Sequence, residues 1–272
     1  MASFSLAALT VLELAPPAMI EVAARCGYDQ VGLRLLPATS GGTAYRLLDD
    51  AVLLRETLRR LQTTGVSVAD LEVVAFRQET DVASFSTFFE TGARLGASHI
   101  LVAAYDPDLE RFSDRYLQFC EAAAEYGLTS DLEFMPWTCV PDLATAMRIV
   151  RDVDHPAAGI LVDALHFDRS QSSLADLKTV PTGRLHYWQL CDGPAVRPVT
   201  TEQLIHAARE ERMFPGEGGI DLVSLTKAMP DGLTISIEVP TTELAKTVDG
   251  ETRARRALAA GKSVVERART SS

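Results

Sequence analysis

Short apolar runs alternate along this chain with longer stretches in which apolar residues recur every three to four positions. The short runs, at 3–8, 29–36, 67–74, 98–104, 128–134, 158–163, 184–191 and 233–239, have strand length and predict eight strands. The stretches at 15–27, 45–64, 81–96, 109–126, 141–153 and 201–211 have helical spacing, and 250–268 reads as a last helix with a charged outer face. Gly27, Gly65, Gly96 and Gly127 stand where a helix gives way to the next strand, the position a left-handed C-cap requires. Strict alternation of strand and helix implies a parallel sheet. Eight such units in about 250 residues match a closed (β/α)8 barrel. A doubly wound open sheet is the competing arrangement, but no GxGxxG follows the first strand and no P-loop occurs. With no linker, low-complexity tract or shift in composition, residues 1–272 are expected to form one barrel domain.

Composition narrows the class. With 47% apolar and 23% charged residues the chain can fill a core of this size, which excludes a disordered or fibrous protein. A net charge of -11 opposes attraction to nucleic-acid phosphates or anionic lipid, so neither is an expected partner. No run reaches the roughly 20 apolar residues that span a bilayer. The opening MASFSLAALTVLELAPP lacks a basic segment and Glu13 interrupts it, so the expected location is cytoplasmic. Cys26, Cys120, Cys139 and Cys191 are far apart, without CxxC pairing, and read as reduced core thiols. The expected partner is a small-molecule substrate; a homo-oligomer is left open.

In such a barrel the reactive groups gather at the C-terminal ends of the strands. Four consecutive strand ends carry acids or amides: Glu133, Asp163, Gln189 and Glu238. Each carboxylate follows an apolar run, and burying it unpaired costs several kcal/mol, on the order given by transfer data. A shared metal ion removes that cost. His166, three residues after Asp163, is close enough to the mouth to contact substrate or support a ligand. Arg34 ends strand 2 and Glu72 falls near the end of strand 3, so both reach either the pocket or ion-pair partners on neighbouring strands. Trp137 offers a face to a sugar ring or shields the pocket from water. His99, at the start of its strand, and His155 and His206 read as structural; His186 is expected to pack in the barrel wall.

The glutamate of DLEF, the D-x-x-H of VDALHF, the Q-x-x-D of YWQLCD, the loop RMFPGEGGIDL and the glutamate of SIEVP resemble, in order and spacing, the xylose isomerase-like sugar isomerase and epimerase superfamily. The resemblance implies a divalent metal held by Glu133, Asp163, Gln189 and Glu238. It further implies Glu133 and Glu238 as acid/base groups on opposite faces of the substrate, with Arg212 holding a substrate oxygen and Glu217 orienting it. Glutamine replaces the commoner histidine at 189, and an all-oxygen set favours Mg2+ or Mn2+ over Zn2+. The implied chemistry is proton movement beside a carbonyl through an enediolate, giving isomerisation or epimerisation of a small sugar-like compound. Dehydratases of the 3-dehydroshikimate type also resemble the glutamine-bearing pattern, and an inosose-type dehydration stays open as well. Met135, however, stands where some dehydratases carry a catalytic histidine. A non-catalytic sugar-binding barrel is the third reading. A nuclease resembling endonuclease IV is disfavoured by five scattered histidines and the acidic balance. No glycine-rich phosphate cradle follows strand 7 or 8, which argues against phosphorylated substrates, although Arg197 and Arg212 are available cations.

Overall fold

In the computed structural model, which describes residues 2–39 and 41–270, every predicted apolar run becomes a strand. The chain proceeds through β1 (Phe4–Leu6), α1 (Pro16–Cys26), β2 (Gln30–Arg34), α2 (Ala51–Thr64), β3 (Ser67–Phe76), α3 (Ser86–Leu95), β4 (His99–Ala104), α4 (Leu109–Ala124), β5 (Thr129–Glu133), α5 (Leu143–Val153) and β6 (Ala158–Asp163). It continues through α6 (Ala164–Arg169), α7 (Leu174–Leu177), β7 (Tyr187–Leu190), α8 (Thr201–Arg209), α9 (Leu222–Ala228), β8 (Thr234–Ile237), α10 (Thr242–Ala245) and α11 (Gly250–Thr270). All neighbouring strands pair in parallel and β8 returns to β1, so the sheet closes as a (β/α)8 barrel rather than lying open.

The helix ends follow from local chemistry. Gly27, Gly65 and Gly96 adopt the left-handed conformation directly after α1, α2 and α3, where a Cβ would be strained. α5 uses Asp154 for the same turn, at φ 44°, which glycine spacing could not reveal. Asp50, Asp108 and Asp142 accept backbone N–H groups at the starts of α2, α4 and α5, and Thr200 and Gln203 form a reciprocal capping box on α8.

Two apolar regions hold the architecture. The larger lies between sheet and helices, where Phe76 meets Phe112 and Phe119 edge to face and Phe85 bridges them to Phe88 and Phe89. The smaller is a plug of Leu101, Leu161 and Tyr187, with Val73 against it. Around the plug the strands carry buried polar residues: Ser5, Asp70, Asp131 and Ser236 are fully buried. A polar bore of this kind is stable only where its groups find partners or ligands.

The segment between α8 and α9 is fixed by a single carboxylate. Asp192 is buried and accepts backbone N–H groups from Gly193, Gly216, Gly218 and Ile220 at 2.8–3.1 Å. Gly216 has φ 86°, and a Cβ at Gly218 would lie 2.3 Å from an Asp192 oxygen, so the loop PGEGG folds over only because these positions lack side chains. All four cysteines are free, as expected from their spacing. Among the described residues no helix is long and apolar enough to cross a membrane. Asp192→Ala is expected to lower unfolding stability by about 3 kcal/mol, because four backbone donors lose a charged acceptor. Denaturant unfolding measures this; a loss below about 1 kcal/mol would mean that those donors find water instead.

Candidate functional site

β5 and β6 deliver Glu133 and Asp163 as their last residues, β7 carries Gln189 inside the strand, and Glu238 follows β8 directly. The ladder between β6 and β7 sets Asp163 opposite Gln189. All four side chains are buried. Asp163 also starts α6, since its Oδ1 accepts the backbone N–H of His166 at 2.9 Å. That cap turns His166 inward, with Nε2 3.7 Å from Glu133 Oε1. Ligand atoms of Glu133, Asp163 and His166 all lie within 4.8 Å of one another.

Glu238 joins the group through Arg212. Antiparallel bridges from Glu211 to Thr241 and from Met213 to Asp192 clamp the backbone on either side of Arg212. Its guanidinium therefore enters the barrel mouth, donating to Asp163 Oδ2 at 2.5 Å and pairing with Glu238 Oε2 at 2.9 Å. Further donations go to Ala208 O and Cys191 Sγ. Two of the three buried carboxylates thus share one guanidinium, and Glu133 stands beside them without a cation of its own.

The titration of these groups reflects that shortage of cations. Burial pushes the Glu133 carboxyl well above its ordinary value, and repulsion from Asp163 and Glu238 adds to the shift against the pull of Arg212. Burial, reinforced by Glu72 and Asp163, raises Glu238 to about 7, although Arg212 opposes it. Burial disfavours ionisation of Asp163 too, but Arg212, His166 and the cap hydrogen bond outweigh it and hold that carboxyl below its usual range. His166 is lowered to about 4 by burial, with Arg212 and Arg209 working in the same direction against Asp163, so its imidazole is neutral at neutral pH.

Gln189 is the clearest sign of a missing partner. Both its amide oxygen and its amide nitrogen are buried without a hydrogen bond among the described residues, a cost of about 1–3 kcal/mol for each group. Carboxylate and amide oxygens, with His166 beside them, could hold a divalent cation, and such an ion would satisfy the amide oxygen and offset the charge excess. Above them opens a cavity of about 240 Å³ lined by Arg34, Tyr105, Glu133, Trp137, His166, Arg209, Arg212 and Glu238. That volume suits a small molecule.

The remaining expected residues divide. Trp137 lines the cavity, packed edge-on against His166 with ring centroids 5.0 Å apart. Arg34 lines it as well, but its Nη2 is bonded to Glu72 Oε2 at 2.8 Å, and the other Glu72 oxygen accepts Ala8 N–H at 2.7 Å. Glu72 is thus engaged as the fully buried partner of Arg34 rather than open to the cavity. The expectation for Glu217 is corrected: its side chain is 43% exposed and pairs with Arg256 of α11, whose guanidinium covers Phe214, so it lies outside the mouth. Arg212 reaches the cavity, but most of its donors are already committed to protein acceptors. His186, expected in the wall, is partly buried there and pairs with Asp131, away from this site.

Arg209 and Tyr105 were not foreseen. Arg209 stands in the last turn of α8 and donates to the Tyr105 hydroxyl at 3.3 Å. Arg212 lies beyond the end of α8, between two β-bridges, so no helical spacing links the two arginines in sequence.

A profile of the xylose isomerase-like TIM barrel family matches residues 20–264, and the chain belongs to that family. It is similar to a 3-dehydroshikimate dehydratase from Pseudomonas putida, 26% identical over 103 residues. The match covers 38% of this chain but only 16% of that protein. It is also similar to an inosose isomerase from Bacillus velezensis, 23% identical over 255 residues and 86% of each chain. Among solved structures, the IOLI protein with a bound zinc atom superposes with a TM-score of 0.82 at 21% identity, covering 99% of this chain and all of that one.

Replacing Arg212 by Met in metal-free protein is expected to cost about 3–5 kcal/mol, because Asp163 and Glu238 lose their shared cation. Denaturant unfolding in the presence of a chelator checks this. Stability equal to that of the unsubstituted chain would show that the carboxylates are neutralised by other means.

Proposed function

We propose that this protein is a divalent-metal-dependent enzyme that moves a proton on the carbon next to the carbonyl of a small polyhydroxylated compound. The observation that carries the reading is the orphaned Gln189 amide beside three buried strand-end carboxylates. In this reading Glu133, Asp163, Gln189 and Glu238 hold the ion. The predominance of oxygen donors favours Mg2+ or Mn2+. When bound, the ion would polarise the substrate carbonyl and acidify the neighbouring C–H.

The chain's own residues supply the rest. Glu133 faces the cavity and takes the proton once the bound cation holds its carboxylate ionised against the burial that otherwise raises it. Glu238, at about 7, is poised to return a proton from its side of the cavity. His166, neutral and 3.7 Å from Glu133, orients a substrate hydroxyl and keeps Glu133 in place. Trp137 closes the apolar side and excludes water. Return of the proton to a different carbon or face gives isomerisation or epimerisation.

Loss of a β-hydroxyl instead gives dehydration, and one observation favours this second reading. Arg209 lines the cavity and donates from Nη2 to the Tyr105 hydroxyl, and its guanidinium would supply the cation for a substrate carboxylate.

Incubating the Mn2+ form in D2O with a panel of ketoses, inososes and cyclic keto acids separates the outcomes. Deuterium on carbon is the isomerase result, and a conjugated product with loss of water is the dehydratase result. Neither across the panel would overturn the enzymatic reading. Glu133→Gln is expected to lower turnover by about 10²–10⁴-fold while the fold persists. Because Glu238 must lose its proton to bind metal, Mn2+ affinity should rise as pH passes upward through about 7 and fall below it. Calorimetric titration at pH 6 and pH 8 reads this, and equal affinities would remove Glu238 from the ligand set. Gln189→His should shift preference from Mn2+ toward Zn2+ in competition binding.

A further inference from the structure

At the opposite end of the barrel, His99 opens β4, Asp131 lies inside β5, and His186 immediately precedes β7. His186 Nδ1 is 2.7 Å from Asp131 Oδ1, and His99 Nδ1 is 3.9 Å from Oδ2. Two imidazole nitrogens and one carboxylate oxygen all fall within 4.8 Å of one another. Donors about 2.0 Å from a tetrahedral ion stand roughly 3.3 Å apart, and the observed separations straddle that value. We propose that His99, Asp131 and His186 form a second metal site, selective for zinc-class ions, distinct from the one at the barrel mouth.

The surroundings are shaped for it. The two imidazole rings are stacked, parallel within 2° with centroids 5.8 Å apart, so one ring turns about its Cβ–Cγ bond when both nitrogens aim at one ion. Gly159 stands opposite Asp131 in the ladder between β5 and β6. A Cβ there would lie 2.2 Å from Asp131 Oδ1 and 2.5 Å from His186 Nδ1, so the cluster exists only because position 159 has no side chain. Thr129 Oγ1 lies 2.7 Å from Asp131 Oδ2 and 2.8 Å from His99 Nδ1, fixing the carboxylate or serving as a further oxygen donor. The histidine side chains are 17% and 16% exposed while Asp131 is fully buried, so solvent reaches the outer edge of the cluster. Two nitrogen donors and a carboxylate suit Zn2+, Co2+ or Ni2+ and disfavour Mg2+, the reverse of the preference of the oxygen donors at the mouth.

The test is zinc stoichiometry on chelator-stripped full-length protein, read by equilibrium dialysis and elemental analysis with Zn2+ as the probe. A chain with the mouth disabled by Glu133→Gln and Glu238→Gln should retain one zinc, and adding His99→Asn and His186→Asn should remove it. This outcome is independent of any catalytic activity. No zinc on the mouth-disabled chain, or zinc that persists after both histidines are replaced, would overturn the proposal. Circular dichroism establishes that each variant is folded. Should the histidine variants fail to fold, anomalous diffraction at the zinc edge from zinc-soaked wild-type crystals decides: a peak beside the Asp131 carboxylate within bonding distance of both imidazole nitrogens supports the site, and its absence overturns it.

Discussion

The pairing of Arg212 with Asp163 and Glu238 is the interaction on which the mouth of this barrel depends. Burying three carboxylates in one place is unfavourable without compensation, and a single guanidinium reaches two of them directly. It can do so only because the backbone around it is fastened at both sides, to Thr241 and to Asp192. Asp192 in turn gathers four backbone N–H groups of the glycine loop. Fold, loop and electrostatics are therefore one arrangement. The loop after α8 is not an ornament over the mouth but the means by which a cation is held inside it.

The fold was legible because eight apolar runs and the glycines between them leave few alternatives. Each run became a strand, and three of the four glycines named became direct helix C-caps, while Gly127 takes the left-handed turn two residues beyond the cap of α4. The placement of Glu133, Asp163 and Glu238 at or just beyond the ends of their strands was legible for a similar reason, since strand ends in a closed parallel barrel face one mouth. What sequence could not give was competition for partners. Glu217 looked available, but Arg256 arrives from α11, 39 residues along the chain, and takes it to the outside. Arg34 and Glu72, by contrast, form an ion pair, one of the two alternatives the sequence had left open. The pairing of His186 with Asp131 was not legible, because the two lie 55 residues apart on different strands, a separation that no local pattern encodes.

The interior of the barrel is unusually polar for a packed core, and its chemistry differs from end to end. The mouth gathers oxygen donors and arginines, whereas the far end gathers imidazoles around one carboxylate. Leu101, Leu161 and Tyr187 form an apolar plug of their own within this polar interior. Family membership and the superposition with other barrels account for the scaffold that the two ends share. The identities of the side chains at each end set what that scaffold can bind.

The double duty of Asp163 has a mechanical consequence. One of its oxygens holds the first turn of α6 through the backbone of His166, while the other answers to the charge gathered at the mouth. Any shift of this carboxylate tugs on that turn, and the imidazole travels with it. Filling the pocket with charge and setting the angle of the histidine are thus a single movement, transmitted through one short side chain instead of a hinge.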